Sequence, residues 1–389
     1  MTLGLVAFGL VMVYSASSAQ AILANHDPAY YLKRQAVYAV VGLIALAVCA
    51  RFDYRHLRQL TAPLVLGTIA LLAAALAVGT AVNGARRWLS FGFVVVQPSE
   101  VAKLALALWL AGLLARRPAP RTRKELARPI GLLVGFVCLL VLLEPDLGTG
   151  VAIGIMCAAT LVVAGTPLRL LVGAGSLTTT LLLAAIWFEP YRRARIFSFL
   201  NPWGDPQGAG FQTVQSMIAL GSGGLFGVGL GESVQKIYYL PEASTDMIYA
   251  IIGEELGLVG TVAVIVAFAA FGYAGFNVAL RCRDPFGKLL ATGITALVCG
   301  QAAVNLSAVL GLAPLTGIPL PFVSYGGSSL IVALASVGIL LNIATSDGRA
   351  TRDELPDRRR RNGGPRAALA RGRGGASRPR RRRGVRRAS

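Results

Sequence analysis

Charged residues are scarce in this chain, so the few that interrupt its apolar stretches are the places to look for chemistry. Asp246 ends a polar stretch and stands just before the apolar run that begins at Ile248. A carboxylate at the rim of a low-dielectric cavity has a raised pKa and can accept a proton from a hydroxyl. The position also suits a helix cap, since Thr245 and Asp246 precede a helical pattern and Asp is a favoured N-cap. Glu100 and Lys103 lie three apart, on one helix face, early in another apolar run. Ionisable groups inside a membrane are costly and usually pair or face a polar cavity. The two therefore read either as a structural pair that fixes helix rotation or as a polar floor. Glu254 and Glu255 follow Asp246 by roughly two turns, where an uncompensated charge would cost several kcal/mol. One of them is expected to pair inside the bundle, and Lys103 is one partner it could take.

Arg86, Arg87, Arg192, Arg193 and Arg195 are candidates for an anionic ligand, because guanidinium matches phosphate oxygens bidentately. Snorkelling toward lipid headgroups is the plainer explanation. Glu144 and Asp146 flank Pro145, and Asp146 reads as the cap of the helix that follows. Ser324, Gly326, Gly327, Ser328 and Ser329 allow close helix packing, and Tyr325 among them could line a site. His26 and His56 are the two histidines, which essentially excludes a His-based zinc site. The five cysteines (Cys49, Cys138, Cys157, Cys282, Cys299) show no CxxC spacing and read as buried small residues.

The elements that must position these residues are membrane spans. Of 389 residues, 55% are hydrophobic and 14% are charged, with a mean hydropathy of +0.62. A soluble chain carries about 25% charged residues, so most of this one must lie in lipid. A spanning helix needs about 20 mostly apolar residues. Such runs fall near 3–24, 35–50, 60–81, 98–115, 129–143, 147–165, 168–188, 247–275, 288–311 and 324–344. The expectation is an all-α integral membrane protein of about ten transmembrane helices. The first run has no basic n-region or cleavage site and reads as a retained span. A chain that starts there lacks a cytoplasmic leader, and a missing upstream segment is expected.

Lys and Arg in short loops set orientation. Arg51, Arg55 and Arg58, then the basic residues of 116–128, then Arg281, Arg283 and Lys288, and finally the tail mark one side as cytoplasmic, together with both termini. The opposite loops, 25–34, 82–97, 189–246 and 312–323, face outward. They still hold Lys33, Arg34, Arg86, Arg87, Arg192, Arg193, Arg195 and Lys236, which suggests an anionic ligand on that side. The loop 189–246, between the seventh and eighth helices, exceeds the roughly 12–15 residues that structureless loops usually reach, so it should be structured. Phe211, Val214, Met217, Ile218 and Leu220 recur at helical spacing and suggest a short amphipathic interfacial helix. The glycines from Gly221 to Gly231 could cradle phosphates, but no Lys-Ser/Thr follows at the spacing that use requires. Close backbone packing in a re-entrant turn is the preferred reading.

The domain boundary falls at 346. Residues 347–389 hold 16 arginines against 4 acids, with few apolar residues, and read as a disordered Arg-rich cytoplasmic tail. Attraction to anionic lipid or an acidic partner protein accounts for it, and no nucleic acid is expected.

Six segments resemble one family: NGARRW (83–88), QPSEVAKL (97–104), EPDLGT (144–149), NPWGDPQGAGFQ (201–212), GLGESVQKIYYLPEASTDMIYAIIGEELG (229–257) and LPFVSYGGSS (320–329). In order and spacing they look like the SEDS family of peptidoglycan glycosyltransferases, over nearly the whole chain outside the tail. NPWGDP and VQKIYYLPE favour its division branch over its elongation branch.

The resemblance implies ten spans and an enzyme that polymerises lipid II into glycan strands at the outer face of the bacterial cytoplasmic membrane, at the division septum. Asp246 is then the catalytic general base of an inverting glycosyl transfer. Arg87, beside Trp88 in its motif, leads the candidates for the substrate diphosphate, with Arg86 and Arg193 after it. Glu100 and Lys103 become the cavity floor, with Lys103 tuning Asp246, and Lys236, Glu242 and Tyr325 join the cavity. The position two before Asp246 is often His in the family, and here it is Ser244. No metal or cofactor is expected to be built into the protein, although magnesium or manganese could accompany the substrate diphosphate. The implied partners are lipid II, undecaprenyl-linked glycan, a class B penicillin-binding protein transpeptidase and other division proteins. A lipid II flippase or transporter, or a non-catalytic division scaffold, would share the ten helices. The flippase would need a polar path through the bundle, and the scaffold would not need Asp246.

Overall fold

The computed structural model describes residues 1–82, 85–91, 94–188, 190–237 and 240–353. The helices are α1 (Thr2–Leu23), α2 (Tyr30–Arg51), α3 (Tyr54–Val78), α4 (Pro98–Leu114), α5 (Arg123–Leu126), α6 (Leu132–Leu143), α7 (Leu147–Ala164), α8 (Leu168–Trp187), α9 (Pro190–Leu200), α10 (Phe211–Ser222), α11 (Ile248–Arg281), α12 (Pro285–Val309) and α13 (Gly327–Asp353). Between α3 and α4 lie strands β1 (Thr80–Val82), β2 (Ala85–Phe91) and β3 (Val94–Val96).

Among the described residues, eight helices are long and apolar enough to cross a membrane: α1, α2, α3, the rod Arg123–Leu143, α7, α11, α12, and α13 over Gly327–Ser346. The rod joins α5 to α6 through one π-helical turn at Ala127–Gly131, where Pro129 supplies no backbone N–H. The other two expected runs form α4, of 17 residues, and α8, apolar over Leu168–Ala184. Helices thus form on all ten expected runs. The protein is a multi-pass helical membrane protein. α12 is the most buried of the eight and packs against α11, α7 and α4. Small residues permit these approaches in a medium where burial of apolar surface gives little driving force. A Cβ on Gly275 of α11, for example, would sit 2.3 Å from Thr295 Oγ1 of α12.

Two features differ from the sequence reading. The segment between α3 and α4 is folded, with β1, β2 and β3 forming an antiparallel sheet in that order. An all-α reading misses it because the strands are short, with 3, 7 and 3 residues. α10 does form where the helical spacing places it, but its buried residues are Thr213, Val214, Ser216 and Ala219, whereas Ile218 is exposed. The helix packs on α11 and α12 with a partly polar face, and Ser216 Oγ lies 3.3 Å from the carbonyl of Val309.

α11 is broken at Gly257, whose φ of 66° and ψ of −158° lie outside the helical region. The glycine-rich segment fills the break. Val228 and Gly229 donate to the carbonyls of Glu254 and Glu255, and Leu258 and Val259 donate to those of Gly224 and Leu225, at 2.9–3.2 Å. Backbone polar groups at membrane depth need such protein partners. The approach leaves no room for side chains, since a Cβ on Gly223 would lie 1.9 Å from the carbonyl oxygen of Gly253. The re-entrant packing preferred from the sequence is what these glycines do.

The chain divides into Met1–Gly348 and Arg349–Ser389. α13 continues to Asp353, past the boundary expected at 346, and the remainder of the tail, 354–389, lies outside the described residues.

Candidate functional site

A cavity of about 890 Å³ opens at the end of the bundle that carries the folded loops. Asp246 lies in its wall, one residue before the cap of α11, and the helix has no side-chain cap. The capping alternative therefore fails. The main chain at Asp246 is fixed by Asn305 of α12, whose Nδ2 donates to the Asp246 carbonyl at 2.7 Å and to that of Ile318 at 2.8 Å. Its carboxylate receives little by comparison, with Thr245 Oγ1 3.4 Å from Oδ1. Burial, and then the neighbouring carboxylate of Glu242, push the Asp246 pKa up to about 7, against the opposing pull of its backbone hydrogen bond, Arg195 and Thr245. A base that titrates near neutrality combines a usable ionised fraction with real proton affinity.

Glu242 sits at a turn with φ of 56°, accepts from Thr245 Oγ1 at 2.7 Å and lines the cavity. Tyr325 also lines it. The Tyr325 N–H donates to the Ser244 carbonyl at 2.8 Å, which ties the segment before α13 to the loop that carries Asp246. Burial pushes its phenol up to about 12.

The arginines separate. Arg87 lines the cavity; its Nε donates to the Glu144 carbonyl at 2.6 Å and its Nη2 to that of Pro145. Arg86 precedes it on β2, and alternation sends the two side chains to opposite faces. Arg86 is outside the cavity lining and donates to the Ala77 carbonyl at 3.3 Å. On α9 the same geometry acts at helical period. Arg195 lines the cavity and donates to the Leu315 carbonyl at 3.2 Å. Arg193, two positions earlier and about 200° around the helix, is exposed over the Trp187 ring at 6.0 Å. Preferring Arg193 to Arg195 is corrected on that ground. The side chain of Arg192 lies outside the described residues.

Glu100 and Lys103 form a buried ion pair at 2.7 Å. Glu100 reaches the cavity, but Lys103 does not and is absent from the groups that set the Asp246 pKa, so the expected tuning of Asp246 by Lys103 is corrected. Lys103 is not the partner of the α11 acids either. Glu255 pairs with Lys236 at 3.1 Å, and Ser15 Oγ of α1 lies 2.6 and 2.7 Å from its two carboxyl oxygens. Glu254 accepts from Ser233 Oγ and from the Val234 N–H. Lys236 is buried outside the cavity, because the re-entrant segment carries it down to the acids, so it is removed from the cavity group.

Asp146 caps α7 through the Thr149 N–H at 3.0 Å, as expected. It also holds the start of α4, with Ser99 Oγ and Gln97 Nε2 each 3.3 Å from Oδ2. One wall was only partly read from the sequence: Arg34 of α2 was among the outer basic residues, but Tyr31 and Tyr38, which line the cavity beside it, were not singled out. The i, i+3, i+7 spacing of the three was the available signal. Tyr31 meets Tyr325 edge-on at 5.3 Å, and Gln35 of the same face binds the Ser324 carbonyl.

Residues 1–348 match the FtsW/RodA/SpoVE family, described as cell cycle proteins. The chain belongs to that family. It is 44% identical over 348 residues to the probable peptidoglycan glycosyltransferase FtsW of Geobacter metallireducens, covering 89% of this chain and 93% of that one. It is 40% identical over 347 residues to the stage V sporulation protein E of Bacillus subtilis, covering 88% and 94%. Among solved structures, a chain of a peptidoglycan synthase complex that coordinates polymerization and crosslinking matches at 32% identity with a TM-score of 0.73, covering 89% of this chain and 97% of that one. The rod shape determining protein RodA of Thermus thermophilus matches at 31% identity and a TM-score of 0.65, covering 89% and 95%. FtsW/RodA/SpoVE membership agrees with the resemblance drawn from the six segments.

Proposed function

We propose that this FtsW/RodA/SpoVE protein is a peptidoglycan glycosyltransferase of the division type that polymerises lipid II, and that Asp246 is its general base. The observation that carries the reading is a sparsely bonded carboxylate, titrating near neutrality, in the wall of a cavity that also holds Arg87 and Arg195. Asp246 takes the proton from the C4 hydroxyl of the acceptor's N-acetylglucosamine. That oxygen bonds to the anomeric carbon of the donor's muramyl sugar with inversion, and the bond to undecaprenyl diphosphate breaks. Arg87 and Arg195 offset the charge on the departing diphosphate. A magnesium or manganese ion, where it takes part, comes in on the diphosphate and adds to that offset. Among the described residues no three of His, Cys, Asp and Glu group to hold a metal.

The same reading includes ten crossings, with α4 and α8 as the two short ones, both termini cytoplasmic and the cavity on the outer face of the cytoplasmic membrane at the septum. The named function of the 44% identical relative supports the division role, and the solved synthase complex supports a class B penicillin-binding protein as partner. Glycan formation from lipid II by the purified protein with such a partner is the test. Asp246→Asn should lower the rate by about 10²–10⁴-fold while folding and partner binding persist. Near wild-type polymerisation by Asp246→Asn would remove Asp246 from the chemistry.

A further inference from the structure

The mechanism above leaves Glu144 without a role, although it is the least satisfied acid among the described residues. It lies in the turn between α6 and α7, with 0% of its surface exposed, and neither carboxyl oxygen has a hydrogen-bond partner. The charged groups that face it are Asp146, from its own turn, and Arg87, from β2. Arg87 is close enough to bind the Glu144 main-chain carbonyl at 2.6 Å, and it bonds to that carbonyl and the next one instead of to the carboxyl group. An ionised carboxylate so near would be the stronger acceptor, since charge-assisted bidentate pairs outcompete neutral carbonyls. The observed choice of partner is what a neutral acid produces. Asp146, by contrast, accepts from Thr149, Ser99 and Gln97. With one charge already fixed two residues away and no donors of its own, Glu144 retains its proton.

We propose that Glu144 is a positioning residue that acts through Arg87: held as a neutral acid, it leaves the guanidinium anchored on main-chain carbonyls with its remaining N–H donors and its full charge available to a diphosphate in the cavity. A guanidinium has five N–H donors, and the two anchoring bonds use two of them. Loss of the Glu144 proton creates a competing anion beside Arg87, draws the guanidinium to it and weakens the hold on the ligand. Burial and the Asp146 charge push the Glu144 pKa up to about 8, against Arg87, so the competition sets in on the alkaline side of neutrality.

This inference rests on the proposed anionic substrate but not on catalysis, and its test separates the two. Geranyl diphosphate binding to the full-length protein in detergent would be measured by calorimetry from pH 6.5 to 9.5, alongside KM and kcat for lipid II with the partner present. In wild type, the dissociation constant and KM should rise about tenfold between pH 7 and 9, with kcat changing less. The weakening centred near pH 8 should persist in Asp246→Asn, which removes only the separate contribution of the Asp246 charge that forms near pH 7. Glu144→Gln, an uncharged isostere, should abolish the alkaline rise, whereas Glu144→Asp should keep a rise with a shifted midpoint. The inference is overturned if the rise persists in Glu144→Gln, if wild type shows no alkaline weakening, or if wild type fails to bind the diphosphate at pH 7.

Discussion

Asp246 and the pair Glu254–Glu255 are carboxylates within three turns of one another at the start of α11, and they are treated in opposite ways. Glu255 is matched by Lys236 and Ser15, and Glu254 by Ser233 and the Val234 N–H. Asp246 has a long contact from Thr245, a hydrogen bond from its own main chain, the attraction of Arg195, and a neighbouring carboxylate that repels it. A buried acid with strong donors on both carboxyl oxygens is a structural fastener; one with few donors in a cavity can receive a proton. The contrast, more than burial or depth, separates a residue that holds the fold from one that can act.

The sharpest way to break this contrast is to exchange the losses. Asp246→Asn is expected to lose activity and gain stability. A carboxyl with a raised pKa leaves the folded state binding more protons than the unfolded one between about pH 4 and 7, so stability falls as pH rises through that window. The neutral amide escapes that loss, and each 1 kcal/mol gained raises Tm by roughly 2–4 °C in a domain of this kind. A lower Tm for Asp246→Asn at pH 7.5 would show that the carboxylate is a fastener after all. Glu255→Ala should behave in the reverse sense. It strands Lys236 and should cost about 3–5 kcal/mol, seen in denaturant or thermal melts in detergent.

Glu100 and Lys103 fall between the two cases, since Glu100 reaches the cavity and Lys103 does not. Each single neutral substitution strands a charge, and the double substitution should cost less than the sum, with a coupling of about 0.5–3 kcal/mol. Additive losses would mean that each serves a different partner. The pH profile sharpens the comparison further. With the base titrating near 7, kcat/KM should fall about tenfold per pH unit below that point, and this acid limb should vanish from the residual activity of Asp246→Asn. The smallest effect is expected from the tail: deletion of 354–389 should leave polymerisation within about twofold while reducing salt-sensitive binding to anionic vesicles.

The long helices, the short helix α10 and the place of Asp246 just before α11 were legible in the sequence because each depends on local pattern: apolar length for the helices, helical recurrence for α10, and the start of an apolar run after Asp246. Partnerships were not, because they depend on which elements meet. Lys236 is nineteen residues from Glu255, and nothing local says that the re-entrant segment lowers one onto the other while Ser15 arrives from α1. Arg87 against Arg86 could have been separated by alternation once β2 was recognised, but the strand itself was missed. Arg195 against Arg193 needed only the angle between positions two apart on a helix, plus knowledge of which face met the cavity. Tyr31, Arg34 and Tyr38 share a face of α2 in plain view, yet an aromatic and basic stripe near a membrane surface is ordinarily read as interfacial anchoring.

The pairing of 224–229 with 254–259 divides the long loop into two regimes of tolerance. Its four backbone bonds are made within the span of α11, where water is not at hand to replace them. A single residue inserted between Ser222 and Leu258 on the paired side would slip the register, drive a side chain into the glycine contacts and displace Lys236 from Glu255. Residues 203–209 are largely exposed turns outside that pairing, held by Asp205, whose carboxyl oxygens accept from the Gly208 and Ala209 N–H groups. A label on the exposed Gln207 side chain is therefore tolerated, whereas the stretch that descends into the bundle must keep its residue count.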